Sequence, residues 1–99
     1  MAFISTRTGD IGDNTSGIHR ADRCSKAALN TAVKSIAVDF AAQGIVTVAL
    51  HPGSVMTEAR KASQFTLTDS VIGLRAELDA ISQARSGPFH RYDGGIIEW

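Results

Sequence analysis

Cysteine is nearly missing from this chain. Its single thiol, Cys24, permits no internal disulfide and suits a reducing cytoplasm, where the protein is expected to reside. Net charge is missing too. Ten lysines and arginines cancel ten aspartates and glutamates, so no overall field draws the chain to nucleic acid or anionic lipid, and neither is expected as a partner. No apolar stretch approaches the ~20 residues that span a bilayer. The opening Met1-Ala2-Phe3-Ile4-Ser5-Thr6-Arg7 has no basic region leading into an apolar run, so no secretory signal is read there. Internal repeats and low-complexity tracts are also lacking.

What is present fits one small globular domain. A chain of 99 residues supports no more than one. At this size somewhat above ~60% of the unfolded surface is buried, enough to fold with little stability to spare. The 43% hydrophobic content argues against disorder.

The order of elements is legible in outline. Phe3-Ile4-Ser5 reads as the remainder of a strand. Thr8 to Arg20 is rich in Gly, Asp, Asn, Thr and Ser and reads as a loop. From about Asp22 to Ala42 the pattern turns helical: Leu29, Ala32, Val33, Ile36, Ala37 and Phe40 form one apolar stripe, and Gly44 supplies a left-handed stop. Ile45 to Leu50 is β-branched and nearly uninterrupted, as in a parallel strand covered on both faces. His51-Pro52-Gly53 breaks it. A polar, partly helical stretch is expected over Thr57 to Phe65. Thr66 caps the next helix with Asp69 returning the bond, and Val71, Leu74, Leu78 and Ile81 make its apolar face. Gly87 and Pro88 end it, leaving a last short strand and tail over Phe89 to Trp99. This alternation predicts an α/β layer with right-handed crossovers.

Several segments carry a resemblance. Asp22-Arg23-Cys24-Ser25-Lys26-Ala27-Ala28-Leu29-Asn30 resembles the catalytic helix of short-chain dehydrogenases/reductases, which carries Tyr-x-x-Ser-Lys followed by Ala-Ala-Leu-Asn. His51-Pro52-Gly53-Ser54-Val55-Met56-Thr57 resembles the family's Pro-Gly-x-Val-x-Thr element. Asp13 to Gly17, Ser70 to Arg75 and Tyr92-Asp93-Gly94…Trp99 look like the C-factor-like and sniffer-type carbonyl reductases. The resemblance covers essentially the whole chain in one register.

The resemblance implies the C-terminal half of a doubly wound, Rossmann-like parallel sheet: about three strands with flanking helices over residues 1–99. The family's Gly-rich cofactor turn would then lie before Met1. Gly9-Asp10-Ile11-Gly12 is no substitute, because no βα unit follows at the required distance and Asp10 would repel phosphate. In the family a tyrosine protonates the carbonyl as hydride arrives from NAD or NADP, a lysine lowers the phenol's pKa and binds the ribose, and a serine orients the carbonyl. Lys26 matches the lysine, one turn from position 22 on the same helix face. Thr6, with Ser5 beside it, stands at the serine position, and Asp10 where close relatives often have another serine. Pro52, Gly53, Val55 and Thr57 correspond to contacts near the nicotinamide carboxamide.

Asp22 is the departure. It occupies the tyrosine position, and a carboxyl of reference pKa ~3.9 is ionised at neutral pH and shorter than a phenol. Loss of a positioned general acid typically costs about 10²–10⁴-fold in rate. The plain reading of Asp22 and Lys26 is an i, i+4 ion pair worth ~0.3–0.5 kcal/mol.

Other candidates carry less. His19, Asp22 and Cys24 match no closed zinc spacing, and the nearby acid hinders thiolate formation at Cys24, so no metal is expected. His51 reads as a satisfied core or turn histidine. Arg7, Arg20 and Arg23 read as scattered surface arginines. The expectation is therefore an NAD(P)(H)-dependent carbonyl or alcohol oxidoreductase fragment acting on a small carbonyl compound, inactive alone and forming a homo-oligomer or joining a complementary half. The alternatives are a non-catalytic interaction module that pairs through its open sheet edge and the 22–42 helix, or a truncated gene product.

Overall fold

Four strands and two α-helices organise residues 1–55 and 65–99, the part of the chain that the computed structural model describes. In chain order these are β1 (Ala2–Ile4), α1 (Arg20–Asp39), β2 (Val48–His51), α2 (Leu67–Ala80), β3 (Phe89–Arg91) and β4 (Ile96–Ile97). The sheet order is β1-β2-β3-β4; the first three run parallel and β4 runs antiparallel to β3.

The expected α/β architecture is present, with one addition: the sheet is mixed and has a fourth strand. The chain reverses just past β3, where Gly94 takes φ +87° and its N–H bonds the Arg91 carbonyl at 3.0 Å. A left-handed residue of this kind favours glycine.

Side chains alternate across the sheet, and the two faces differ. Phe3, Ala49, Phe89 and Ile97 are in register across all four strands and share one face. Val33 and Leu29 of α1 pack on that row to make the core. The neighbouring row, Ile4, Leu50, His90 and Ile96, faces the other way. There Glu77 of α2 reaches His90, so the helices lie on opposite faces. Leu50 and His90 are buried, whereas Ile4 and Ile96 at the margins are 55% and 59% exposed.

Several sequence expectations need correction. Helix α1 begins at Arg20 and ends at Asp39, followed by a 3₁₀ turn, Ala41–Gln43, that stops at left-handed Gly44 as expected. Its buried line is Asn30, Val33 and Ala37; Ala32 and Phe40 are exposed, because the helix touches the sheet along a narrower seam than the apolar stripe. The second strand begins at Val48, where the ladder with Ala2 starts, so Ile45 and Val46 fall outside it.

Helix α2 departs furthest. Its capping box is present: Thr66 Oγ1 accepts from Asp69 N at 3.1 Å, and Asp69 Oδ2 accepts from Thr66 N at 3.2 Å. The expected apolar face is not the buried one. Ser70 and Glu77 are buried, while Val71 and Leu78 are 54% and 46% exposed. The reason is close approach: Gly73 sits against β3's exit, where an added Cβ would lie 2.4 Å from Tyr92 O. The expected stretch over 57–65, including Thr57, lies outside the described residues up to position 64.

Candidate functional site

Ligands of open α/β sheets bind outside the carboxyl ends of the strands. Here those ends lead into Ser5-Thr6-Arg7 from β1, Pro52-Gly53 from β2 and Tyr92-Asp93 from β3. An open cavity of ≈380 Å³ lies among them, with Arg7, His51, Gly53, Phe65, Arg91 and Tyr92 in its lining.

Gly53 shapes one wall. Its φ is +82°, and a Cβ there would stand 2.8 Å from both Phe65 Cε1 and Tyr92 Cε1. Only glycine lets the turn pass so near these rings, which pack with centroids 4.4 Å apart. Pro52 O accepts from Ser70 Oγ at 2.7 Å, tying the turn to α2. His51 contacts Phe89 edge to face, with centroids 6.4 Å apart. Burial pulls the His51 pKa below the usual imidazole value, over the opposing effect of a bond to the Ser5 backbone. Its Nδ1 is buried without a partner among the described residues, so the histidine expected to be satisfied is only partly so.

A second cluster joins the exit of β1 to α1. Ser5 is buried and donates through Oγ to Asn30 Oδ1 at 2.6 Å. Thr6 Oγ1 accepts from Thr8 N at 3.4 Å, capping the 3₁₀ turn Arg7–Gly9. Thr8 Oγ1 donates to Asp22 Oδ2 at 2.6 Å. Gly9 presses on α1, where a Cβ would lie 2.9 Å from the Lys26 carbonyl carbon. No phosphate cradle follows Gly12: Asp10 Oδ1 accepts from Asp13 N at 3.1 Å, and the next helix begins only at Arg20.

No protein-family model matches the chain. C-signal of Myxococcus xanthus is 39% identical over 100 residues, covering 100% of this chain and 60% of that protein. Carbonyl reductase Sniffer of D. melanogaster superposes with a TM-score of 0.92 at 36% identity, over 99% of this chain and 41% of its own. The NADPH-bound carbonyl reductase from chicken fatty liver gives 0.89 at 33% identity, over 99% and 42%. The chain is related to short-chain dehydrogenases/reductases of the C-factor and sniffer type. The chain spans 60% of the length of the first of these relatives and 41% and 42% of the other two.

Thr6 and Asp22 are joined through Thr8, Ser5 turns instead to Asn30, and Gly53, but not Pro52, lines the cavity. Val55 is half-buried just beyond the turn. Lys26 is half-buried on α1 and shares no described cavity with Gly53. The expected Asp22–Lys26 pair is not among the ion pairs of the described residues, because Thr8 takes the Asp22 carboxylate toward the loop. Arg7 pairs with Asp13 at 3.1 Å, and Arg23 Nε donates to Ile18 O at 2.9 Å. Cys24 is exposed, and the described residues hold no metal-binding cluster of His, Cys, Asp or Glu.

Sequence reasoning missed three residues near these sites. Asn30 holds Ser5, and Arg91 and Tyr92 line the cavity. Arg91 and Tyr92 sit where the third parallel strand ends, a bound that the reading of Phe89 to Trp99 as one strand and tail did not mark. Asn30 gave a quieter signal, a polar residue on the buried seam of an amphipathic helix.

Proposed function

We propose that these residues supply the substrate-facing part of an NAD(P)(H)-dependent carbonyl or alcohol oxidoreductase and do not reduce carbonyl compounds by themselves. The observation that carries the second clause is Asp22. It stands at the family's tyrosine position with its Oδ2 held by Thr8 Oγ1 at 2.6 Å, so no phenol is there to protonate a nascent alkoxide. Such a loss is worth about 10²–10⁴ in rate.

The fit to a dinucleotide is partial. The Pro52-Gly53 turn is narrow and glycine-dependent, as suits close backbone approach to a flat ring. A pyrophosphate has no glycine-rich turn opening a helix among the described residues. When bound, NAD or NADP would supply hydride; Lys26, Pro52, Gly53, Val55 and Thr57 are the residues proposed to face it. Thr6 and Ser5 would orient the carbonyl, with Ser5 already fixed by Asn30.

The test is twofold. Purified 1–99 should show no NAD(P)H-dependent reduction of small carbonyl compounds. The Asp22→Tyr variant, fused to a family N-terminal half, should gain at least tenfold in hydride transfer over the same fusion with Asp22. Turnover by the isolated chain, or no gain in the fusion, would overturn the proposal.

A second reading rests on the sheet edge. Strand β1 pairs only with β2 among the described residues, and its last residue, Ile4, is 55% exposed. Open edges invite pairing, so an interaction module, joining a complementary half or a second copy, follows from the same geometry. A stable, clean monomer by light scattering would count against it.

A further inference from the structure

Two guanidiniums flank the strand-end cavity. Arg7 follows β1 and Arg91 closes β3, while His51 lies between them on β2, in register with Arg91. Each arginine is only partly engaged. Arg7 gives Nη2 to Asp13 at 3.1 Å, and Arg91 gives Nε to Asp93 at 2.6 Å. A guanidinium carries five N–H donors, so both retain donors without a partner among the described residues. Asp93 also accepts from Gly95 N at 3.2 Å. The lining itself holds two guanidiniums and one carboxylate, Asp93, while the Asp13 carboxylate pairs with Arg7 from outside it.

The imidazole between them adds no charge. Burial lowers the His51 pKa first, and the Arg7 and Arg91 charges lower it further, so it stays neutral near pH 7. That both arginines act on one ring places their charges around the same volume. The remaining wall is aromatic: Tyr92 and Phe65 lie 4.4 Å apart beside Gly53. Guanidinium donors and aromatic rings in one lining suit an anion with a flat carbon skeleton. Guanidinium forks match carboxylate geometry better than any other side chain does.

We infer that this cavity takes a small carbonyl or alcohol compound bearing a carboxylate, its anionic group between Arg7 and Arg91 and its skeleton against Tyr92 and Phe65. The carbonyl part of this statement rests on the oxidoreductase reading above; the anion selectivity does not.

The experiment is an NMR titration of the 99-residue protein with phenylglyoxylate and, separately, with its neutral methyl ester. Saturating shifts of the Gly53, Tyr92 and Asp93 amides are expected with the acid, and at least tenfold weaker binding with the ester. Arg7→Gln and Arg91→Gln should each weaken the acid about fivefold or more and leave the ester unchanged. Raising salt should weaken the acid in the unaltered chain, a readout that needs no variant. Equal affinity for acid and ester, shifts confined elsewhere, or no saturation would overturn the inference. No cofactor or turnover enters this measurement. Acid-selective binding beside an inactive Asp22→Tyr fusion would sink the oxidoreductase reading and leave the anion site standing; an active fusion without acid binding would do the reverse.

Discussion

Thr8 Oγ1 donates to Asp22 Oδ2 across 2.6 Å, and no Lys26 ammonium lies within ion-pairing distance of that carboxylate among the described contacts. Asp22, proposed to stand where the family has its phenol, therefore couples to the loop beyond β1. A double-mutant cycle measures this directly. Thr8→Val with Asp22→Ala, which removes the acceptor, should give a coupling of about 0.5–1 kcal/mol in urea unfolding. The parallel cycle of Lys26→Ala with Asp22→Ala should give a value near zero. The reverse ranking would restore the i, i+4 pair and remove the loop's hold.

Gly73 offers a prediction opposite in sign to helix propensity. Alanine is the better helix former by about 1 kcal/mol, so Gly73→Ala on propensity alone would stabilise α2. The added methyl would lie 2.4 Å from Tyr92 O, a backbone atom that cannot swing away. Helix and strand exit must part, at an overpacking cost of typically about 1–3 kcal/mol. A lower urea midpoint for Gly73→Ala is the expected result, and a raised one would mean that the contact is loose.

Residues whose neighbours lie close in sequence were the legible ones. The capping box at Thr66 and Asp69, the stop at Gly44 and the buried Val48–Leu50 all follow from local patterns, though His51, read as the break, is the strand's last residue. What escaped depends on distant contacts. Helix α2 buries Ser70 and Glu77 and leaves Val71 outside because Pro52, Tyr92 and His90 await it there, and periodicity knows nothing of those partners. The Asp22 contact escaped for the same reason: an i, i+4 neighbour was visible, and a loop hydroxyl fourteen positions upstream was not. The family motifs placed Ser5, Thr6, Lys26 and Gly53 along the chain, whereas the cavity wall made by Arg91 and Tyr92 needed three strand ends side by side.

Glu77 tests how α2 is held. Its Oε2 lies 2.8 Å from Arg85 Nη2 and 3.2 Å from His90 Nδ1, with the His90 side chain 1% exposed. Removing one partner of a buried charge pair typically costs about 3–5 kcal/mol. The Arg85 side chain is 33% exposed and keeps water, so Glu77→Ala should cost less, about 1–3 kcal/mol. Glu77→Gln, which can still accept from Arg85, should recover about half of that. Loss of less than about 0.5 kcal/mol in Glu77→Ala would show that the cluster adds nothing net, as surface pairs often do.

The stability of the fold should depend on pH through His51. Its folded pKa lies below the ordinary imidazole value, chiefly because burial disfavours the cation and then because Arg7 and Arg91 repel it. As pH falls past about 6.5, the unfolded chain takes up this proton before the folded one does. Stability rises with pH wherever the unfolded state binds more protons. The neutral ring's contribution is thus complete above about pH 7, is lost as pH falls toward the folded pKa, and levels off below it. Asp69 and Asp93, whose pKa values are held down by bonds to Thr66 and Arg91, act only at lower pH, below about 4. The urea midpoint should therefore be lower at about pH 5.5 than at about pH 7.5, with part of that difference removed in His51→Gln. An identical pH difference in the two proteins would assign it to other groups and place the His51 ring in water.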